Sequence, residues 1–84
     1  MHRLNGKIAI ITGAGSGLGK AIGEKFAEEG ARVVLTDIDQ DSVTKVAEAI
    51  GSKAMALQQD VVDEKRWDEI FAATNDAFGT PHIL

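Results

Sequence analysis

The sequence predicts an α/β fold in which parallel strands alternate with helices along 84 residues. Apolar runs begin roughly every 25 residues, stretches with helical spacing of apolar residues lie between them, and glycines close those stretches. Because right-handed crossovers connect successive parallel strands, we expect the strand order 3-2-1. That order is one half of a doubly wound sheet, a three-layer βαβαβα unit with helices on both faces.

Three strands and the beginning of a fourth are predicted. The run Ile8–Ile11 is continuously apolar, which is typical of a strand buried on both faces. The second strand covers residues 31–36 and ends at Asp37, and a weaker third strand covers residues 53–59. Residues 82–84 look like a fragment of a fourth strand. The residues of the third strand predicted to point inward are Ala54, Ala56 and Leu57.

Three helices are predicted between and after these strands, each closed by a glycine. The first begins between Ser16 and Leu18, the second is capped by Asp39 or Asp41, and the third is capped by Asp63. The closing glycines are Gly30, Gly51 and Gly79. The predicted apolar faces are Leu18, Ala21, Ile22, Phe26 and Ala27 on the first helix, Val43, Val46, Ala47 and Ile50 on the second, and Trp67, Ile70, Phe71, Thr74 and Phe78 on the third.

A glycine-rich segment, Thr-Gly-Ala-Gly-Ser-Gly-Leu-Gly at residues 12–19, joins the first strand to the first helix. Glycine permits positive φ and close approach of a ligand to the backbone. The helix that follows points its unpaired N–H groups and the positive end of its dipole at this turn. A strand, a glycine-rich turn and a helix start together predict an anion site suited to a pyrophosphate.

The spacing of the glycines separates the known phosphate-binding patterns. G-x-G-x-x-G does not fit, because its third glycine would fall on Leu18 or Lys20. The P-loop pattern of nucleoside-phosphate binders fails at Ala14 and Ala21, where it requires a glycine and a magnesium-binding hydroxyl. The pattern that fits is T-G-x-x-x-G-x-G, formed by Thr12, Gly13, Gly17 and Gly19.

This pattern resembles the short-chain dehydrogenase/reductase family, and residues 4–11 resemble that family's first strand. The resemblance implies a Rossmann-type fold that binds a dinucleotide and supports hydride transfer between a nicotinamide and a carbonyl/alcohol pair. It implies that the Ser16 side chain and the Leu18 N–H lie near the cofactor phosphates and ribose. The three glycine roles of dinucleotide sites are a tight turn, approach of the pyrophosphate and helix packing, carried here by Gly13, Gly17 and Gly19.

Two acidic positions follow the second and third strands. Asp37 lies 24 positions after Gly13, where an acid accepts hydrogen bonds from the adenosine ribose hydroxyls and repels a 2′-phosphate. Ile38 follows it and no basic residue stands beside it, so we expect NAD rather than NADP. Asp60 and Val61 look like the family's adenine-edge pair, although an acid that simply ends a strand is an equally simple interpretation.

Composition excludes several classes of function. A net charge of −4 and a pI near 5.0 argue against nucleic acid or an anionic membrane as partner. No cysteine is present, and no apolar run approaches the length of about 20 residues that spans a bilayer. The start of the chain has no secretory pattern, so a cytoplasmic location is expected. His2 and His82 are isolated, so no metal site is predicted.

The chain contains no tyrosine, although the resembled family transfers its proton with a Tyr-x-x-x-Lys pair and a serine. We therefore expect residues 1–84 to be one incomplete NAD-binding domain that contains no catalytic residue and does not turn over alone. A small carbonyl or alcohol substrate would bind only to a longer parent protein. The competing hypothesis is a non-catalytic dinucleotide-binding module or a truncated fragment. Self-association is also expected, because the edge of Ile8–Ile11 is poorly covered.

Overall fold

A computed structural model describes residues 3–83, so the predictions for His2 and Leu84 lie outside the described residues. All six predicted elements are present. They are β1 (Ile8–Ile11), α1 (Gly17–Glu28), β2 (Arg32–Asp37), α2 (Gln40–Ile50), β3 (Ala54–Gln58) and α3 (Glu64–Ala77). Within the described range, no helix combines the length and the apolar character needed to cross a membrane.

The sheet has three parallel strands in the order β1-β2-β3, as predicted. Ala9 pairs with Val33 across β1 and β2, and Leu35 pairs with Ala56 across β2 and β3. On the other side of β1, Ile83 forms a parallel bridge with Ala9, which places the predicted strand fragment next to the first strand. The two crossovers therefore bring the carboxyl ends of all three strands to one edge of the sheet.

Helices cover both faces of this sheet, which gives the predicted three layers. On one face, Ala9 and Leu35 of the sheet are fully buried in the same cluster as Val43 of α2 and Ala27 of α1. On the other face, the cluster consists of Ile10, Val34 and Ile70, the last from α3. Because β1 and β2 contribute to both clusters, their nearly continuous apolar sequences are explained by burial on both sides.

The face that α1 turns to the sheet agrees with the prediction at Ile22, Phe26 and Ala27, which lie in or against the core, and differs at Leu18 and Ala21. Gly23 and Ala27 are its buried residues, whereas Leu18 is 77% exposed and Ala21 is also exposed. The helix approaches β2 so closely that a Cβ on Gly23 would lie 2.7 Å from a methyl group of Leu35. The helix therefore lies closest to the sheet at its small residues, and Leu18 lines an open groove.

On α3, Ile70 and Thr74 are buried as predicted, but Phe71 is 37% exposed, so its assignment to the buried stripe was wrong. Its ring lies 5.7 Å from that of the half-buried Trp67, measured between centroids. Phe71 therefore packs along its own helix rather than into the sheet. The predicted stripe of five residues is wider than the surface with which α3 contacts the sheet.

Candidate functional site

Three helix starts lie at the carboxyl edge of the sheet, and they are built differently. The Asp39 side chain accepts a hydrogen bond from the Ser42 N–H at the start of α2, and that of Asp63 accepts from two N–H groups of α3. At the start of α1, the N-cap residue Ser16 makes no side-chain capping bond, and the first turn holds no acidic residue. The unpaired N–H groups and the positive dipole end of α1 are therefore available to an anion from outside the chain.

The glycine loop before α1 is anchored at one end and open at the other. Ala14 is buried and donates its N–H to the Thr36 carbonyl of β2 at 2.9 Å. A Cβ on Gly19 would collide with the Gly13 carbonyl group, so α1 starts directly against the loop. Gly17 has a φ of +59°, and a Cβ placed there would meet nothing within 4 Å. The space in front of the helix start is thus kept clear of protein atoms at Gly17.

Asp37, the last residue of β2, is fixed beside this loop by two backbone groups. Its Oδ2 accepts the Gly15 N–H at 2.9 Å, and its Oδ1 accepts the Asp39 N–H at 3.0 Å. Each carboxylate oxygen has further acceptor capacity, so the group can still receive hydroxyl donors from a ligand. The structure thus brings the predicted phosphate loop and the predicted ribose acid into direct contact.

Asp60 and Val61 lie in the loop after β3, at the same edge of the sheet, and both are exposed. The Asp60 Oδ1 accepts the Val62 N–H at 3.1 Å, and its carbonyl accepts the Asp63 N–H at 3.0 Å. The Val61 carbonyl accepts the Trp67 indole N–H at 3.3 Å. These bonds form a turn of the loop's own, which is the arrangement expected if Asp60 ends the strand. No hydrogen bond in the described chain links this pair to the glycine loop.

The contact between Gly15 and Asp37 was missed by the sequence analysis. A Cβ on Gly15 would lie 2.8 Å from the Asp37 Oδ2 and 3.0 Å from the Ser42 Cβ, so this position suits glycine for steric reasons. Gly15 occupies a variable position of the T-G-x-x-x-G-x-G pattern, which gives it no role. The one available signal was an additional glycine between two required ones.

A second missed feature is the apolar character of the site edge. The exposed large hydrophobic residues include one after each of the three strands and a second one after β3: Leu18, Ile38, Val61 and Val62. Isolated exposed apolar residues are ordinary, but these four all follow strands whose carboxyl ends lie at one edge of the sheet.

The charges of the site are acidic. Hydrogen bonds from the Ser42 side chain and then from its N–H hold the pKa of Asp39 below its usual 3.8. Asp39 is therefore ionised at neutral pH, next to Asp37. Residues 3–83 contain no group of three histidine, cysteine or acidic side chains placed to hold a metal ion.

A comparison with protein families matches residues 7–84 to the profile described as short chain dehydrogenase. Among curated proteins, the NADP-dependent (R)-specific alcohol dehydrogenase of Lentilactobacillus kefiri is 46% identical over 79 residues. That alignment covers 92% of this chain and 31% of the relative. The chain thus spans about a third of the length of the relatives it matches.

Two solved structures are similar over nearly the whole chain. The 3-ketoacyl-(acyl-carrier-protein) reductase from Brucella melitensis, complexed with NADH, has a TM-score of 0.90 at 41% identity, covering 93% of this chain and 32% of its own. A short-chain dehydrogenase/reductase from Burkholderia phymatum, in complex with NAD, has a TM-score of 0.91 at 33% identity, covering 99% of this chain and 31% of its own.

Proposed function

Because this chain belongs to the short-chain dehydrogenase family, an oxidoreductase family, we propose that residues 1–84 form the domain portion that binds the adenosine and pyrophosphate of NAD. The observation that carries the proposal is the start of α1, which lacks a side-chain cap and an acid in its first turn, placed directly against the fixed Asp37 carboxylate. An anion and a ribose, joined as they are in a dinucleotide, match these two neighbouring features.

The pyrophosphate is assigned to the loop between β1 and α1. The Ser16 hydroxyl makes no capping bond and is exposed, so it is available as a donor, as is the exposed N–H end of α1 at Leu18. Gly17 leaves the approach clear. The other two members of the pattern, Gly13 and Gly19, shape the turn and let the helix start lie against it.

The ribose is assigned to Asp37, which also sets the preference for NAD over NADP. A carboxylate accepts hydrogen bonds from ribose hydroxyls and repels a 2′-phosphate. The similar structures are bound to NADH and NAD, but the Lentilactobacillus relative is NADP-dependent, so similarity alone does not choose between the cofactors. In this chain the choice depends on the charge of Asp37.

The adenine is assigned to the exposed apolar edge. Ile38 is 66% exposed and Val61 is 52% exposed, in two loops that follow neighbouring strands. A flat aromatic base placed there would cover apolar surface, and Asp60 in the same loop is an acceptor for its amino group. The Asp60 carboxylate also accepts the Val62 N–H within its own turn.

The activity proposed for a protein with this domain is hydride transfer between nicotinamide and a carbonyl or alcohol substrate. The nicotinamide supplies or receives the hydride, and a proton donor must lie near the developing alkoxide. No tyrosine occurs among the 84 residues, so we expect no turnover by this chain alone. NADH oxidation in the presence of ketones and aldehydes tests this expectation. Reproducible turnover by the chain, lost in a variant that no longer binds the cofactor, would contradict it.

The proposed cofactor preference is tested by titrating the chain with NAD and with NADP. NAD is expected to bind more tightly, and Asp37→Ala is expected to weaken NAD binding about tenfold or more, because a charged hydrogen bond is worth about 1.5–3 kcal/mol. Asp68→Ala, which removes an exposed carboxylate of α3, is the control and should leave the affinities for both cofactors unchanged. Equal or tighter binding of NADP by the unaltered chain would contradict the assignment of Asp37.

Self-association through β1 is a further proposal. A groove of about 420 Å³ beside this strand is lined mainly by apolar residues, including Leu18, Ile22 and Phe26. On the outer side of β1, Ile83 pairs with Ala9 and the His82 N–H donates to the Ile8 carbonyl. A second copy would cover this surface, and sedimentation that shows a monomer at all concentrations would contradict the idea. A cytoplasmic location stays a prediction from the sequence.

A further inference from the structure

We propose that Asp39 is a second residue that selects against a 2′-phosphate on the adenosine ribose, acting beside Asp37. This inference rests on the proposed function, since it concerns the same ribose site. The family pattern points to the acid at the end of β2, whereas Asp39 follows two residues later and is predicted only as one of two candidate caps of α2.

The geometry ties Asp39 to the ribose acid. The Asp39 N–H donates to the Asp37 Oδ1 at 3.0 Å, so its backbone is in direct contact with the carboxylate that is assigned to the ribose. Gly15 lies against Asp37 and Ser42, because a Cβ there would touch the Asp37 Oδ2 and the Ser42 Cβ. Ser42 is the residue that holds the Asp39 side chain. Asp37, Gly15, Ser42 and Asp39 therefore form one continuous contact.

The Asp39 carboxylate is held in place rather than left to move. Its Oδ1 accepts the Ser42 N–H at 3.2 Å and its Oδ2 accepts the Ser42 hydroxyl at 2.8 Å. These hydrogen bonds also keep its pKa below the usual value, with a smaller contribution from the charge of Lys45. A fixed and ionised carboxylate thus persists next to Asp37 across the neutral pH range.

The expected effect follows from Coulomb's law. A phosphate monoester carries nearly two negative charges at neutral pH, whereas the hydroxyl of NAD at the same position carries none. At an exposed site, the repulsion between a phosphate and one carboxylate within about a Debye length corresponds to about three- to tenfold in a dissociation constant. Two charges also predict that replacing Asp37 alone relaxes the preference for NAD without reversing it, because Asp39 remains.

The test replaces Asp39→Asn, because asparagine caps a helix as well as aspartate does and removes only the charge. The control is Glu48→Gln, which makes the same change in net charge near the other end of α2. Nine residues of helix separate the two positions by about 13 Å, which exceeds the Debye length of about 10 Å at 0.1 M salt. NAD and NADP are titrated against the original chain and both variants, at about 0.1 M and about 1 M salt.

Asp39→Asn is expected to tighten NADP binding about three- to tenfold, to change NAD binding by less than about twofold, and to lose most of this gain at high salt. Glu48→Gln is expected to change neither. The inference is overturned if Asp39→Asn behaves like Glu48→Gln, or if it shifts NAD and NADP equally, which is the signature of a purely structural cap. An original chain that binds neither cofactor overturns the proposed function, whereas selective NAD binding without the Asp39 effect overturns only this inference.

Discussion

The starts of α1 and α3 lie at the same edge of the sheet, but only α3 has side-chain partners for its first N–H groups. At α3, Asp63 accepts hydrogen bonds from the N–H groups of Lys65 and Arg66, and Glu64 adds a charge that complements the dipole. At α1, Ser16 leaves its hydroxyl unused for capping and no acid enters the first turn. The start of α3 is therefore capped by its own side chains, whereas the positive end of α1 has no side-chain partner of this kind.

The missing side-chain cap also affects the stability of α1. A missing cap lowers the stability of a helix by about 1 kcal/mol, so α1 depends more on its packing against the sheet than α3 does. The buried pair Gly23 and Ala27 provides that packing, with Gly23 close against Leu35. The close approach holds α1 against the sheet without a side-chain cap at its start.

The largest effect is expected from filling the space in front of α1. Gly17→Asn is compatible with the positive φ of that position, since asparagine is among the residues that adopt it, but its side chain occupies the space assigned to the pyrophosphate. Losing two charged hydrogen bonds at about 1.5–3 kcal/mol each weakens NAD binding about a hundredfold or more. Calorimetric titration measures it.

The control for this change is Gly6→Asn. Gly6 also has a positive φ, of +80°, with nothing within 4 Å of its Cβ position, and it lies before β1 rather than after it. NAD affinity should be unchanged in this variant. A well-folded Gly17→Asn chain with unaltered NAD affinity would show that the pyrophosphate does not lie at this loop.

The second effect comes from giving α1 an acidic N-cap residue, as α2 and α3 have. Ser16→Asp places a carboxylate at the N-cap, which should stabilise the fold by about 0.3–1 kcal/mol through the dipole while repelling the pyrophosphate. We expect NAD binding to weaken about tenfold or more. The uncharged Ser16→Asn separates the charge from the cap. Tighter NAD binding by the Ser16→Asp variant would refute the contrast between the helix starts.

The third effect concerns stability alone. Asp63→Ala should lower the free energy of unfolding by about 1 kcal/mol, because it removes a cap that accepts two N–H groups. Ser16→Ala should lower it by less than about 0.5 kcal/mol, because no capping bond is lost. Urea unfolding followed by circular dichroism compares the two, and equal losses would mean that Ser16 caps α1 in solution.

The smallest effect is a pH dependence at α2. Hydrogen bonds from Ser42 lower the pKa of Asp39 in the folded chain below its usual 3.8. The stabilisation is therefore fully present above about pH 3.8 and is lost as the pH falls through the lower, folded-state pKa. Urea unfolding of the original chain and of Asp39→Asn from pH 7 to pH 2 should show a stability difference that narrows at the acidic end. A difference that stays constant would contradict it.

Much of the architecture followed from patterns that are local in the sequence. The cap Asp63 and the closing glycines act within one helical turn, so spacing alone predicted where α3 begins and where both helices end. It left Asp39 and Asp41 as alternatives for the start of α2. The contact between Gly15 and Asp37 could not be predicted in this way, because 22 residues separate them and their approach depends on how β2 meets the loop. The exposure of Leu18 was missed for a similar reason, since helical spacing shows a face but not the depth of its contact.

The most direct test of the contrast between the helix starts is a titration of ¹⁵N-labelled chain with NAD, followed by amide resonances in solution. We expect the largest changes in amide chemical shift in residues 13–19, with smaller changes at Asp37 and in the loop after β3. The amides at the starts of α2 and α3 that Asp39 and Asp63 cap should shift far less, since those groups already have partners. Shifts centred on the start of α2 or α3, with residues 13–19 unaffected, would contradict the claim that the open start of α1 is the anion site.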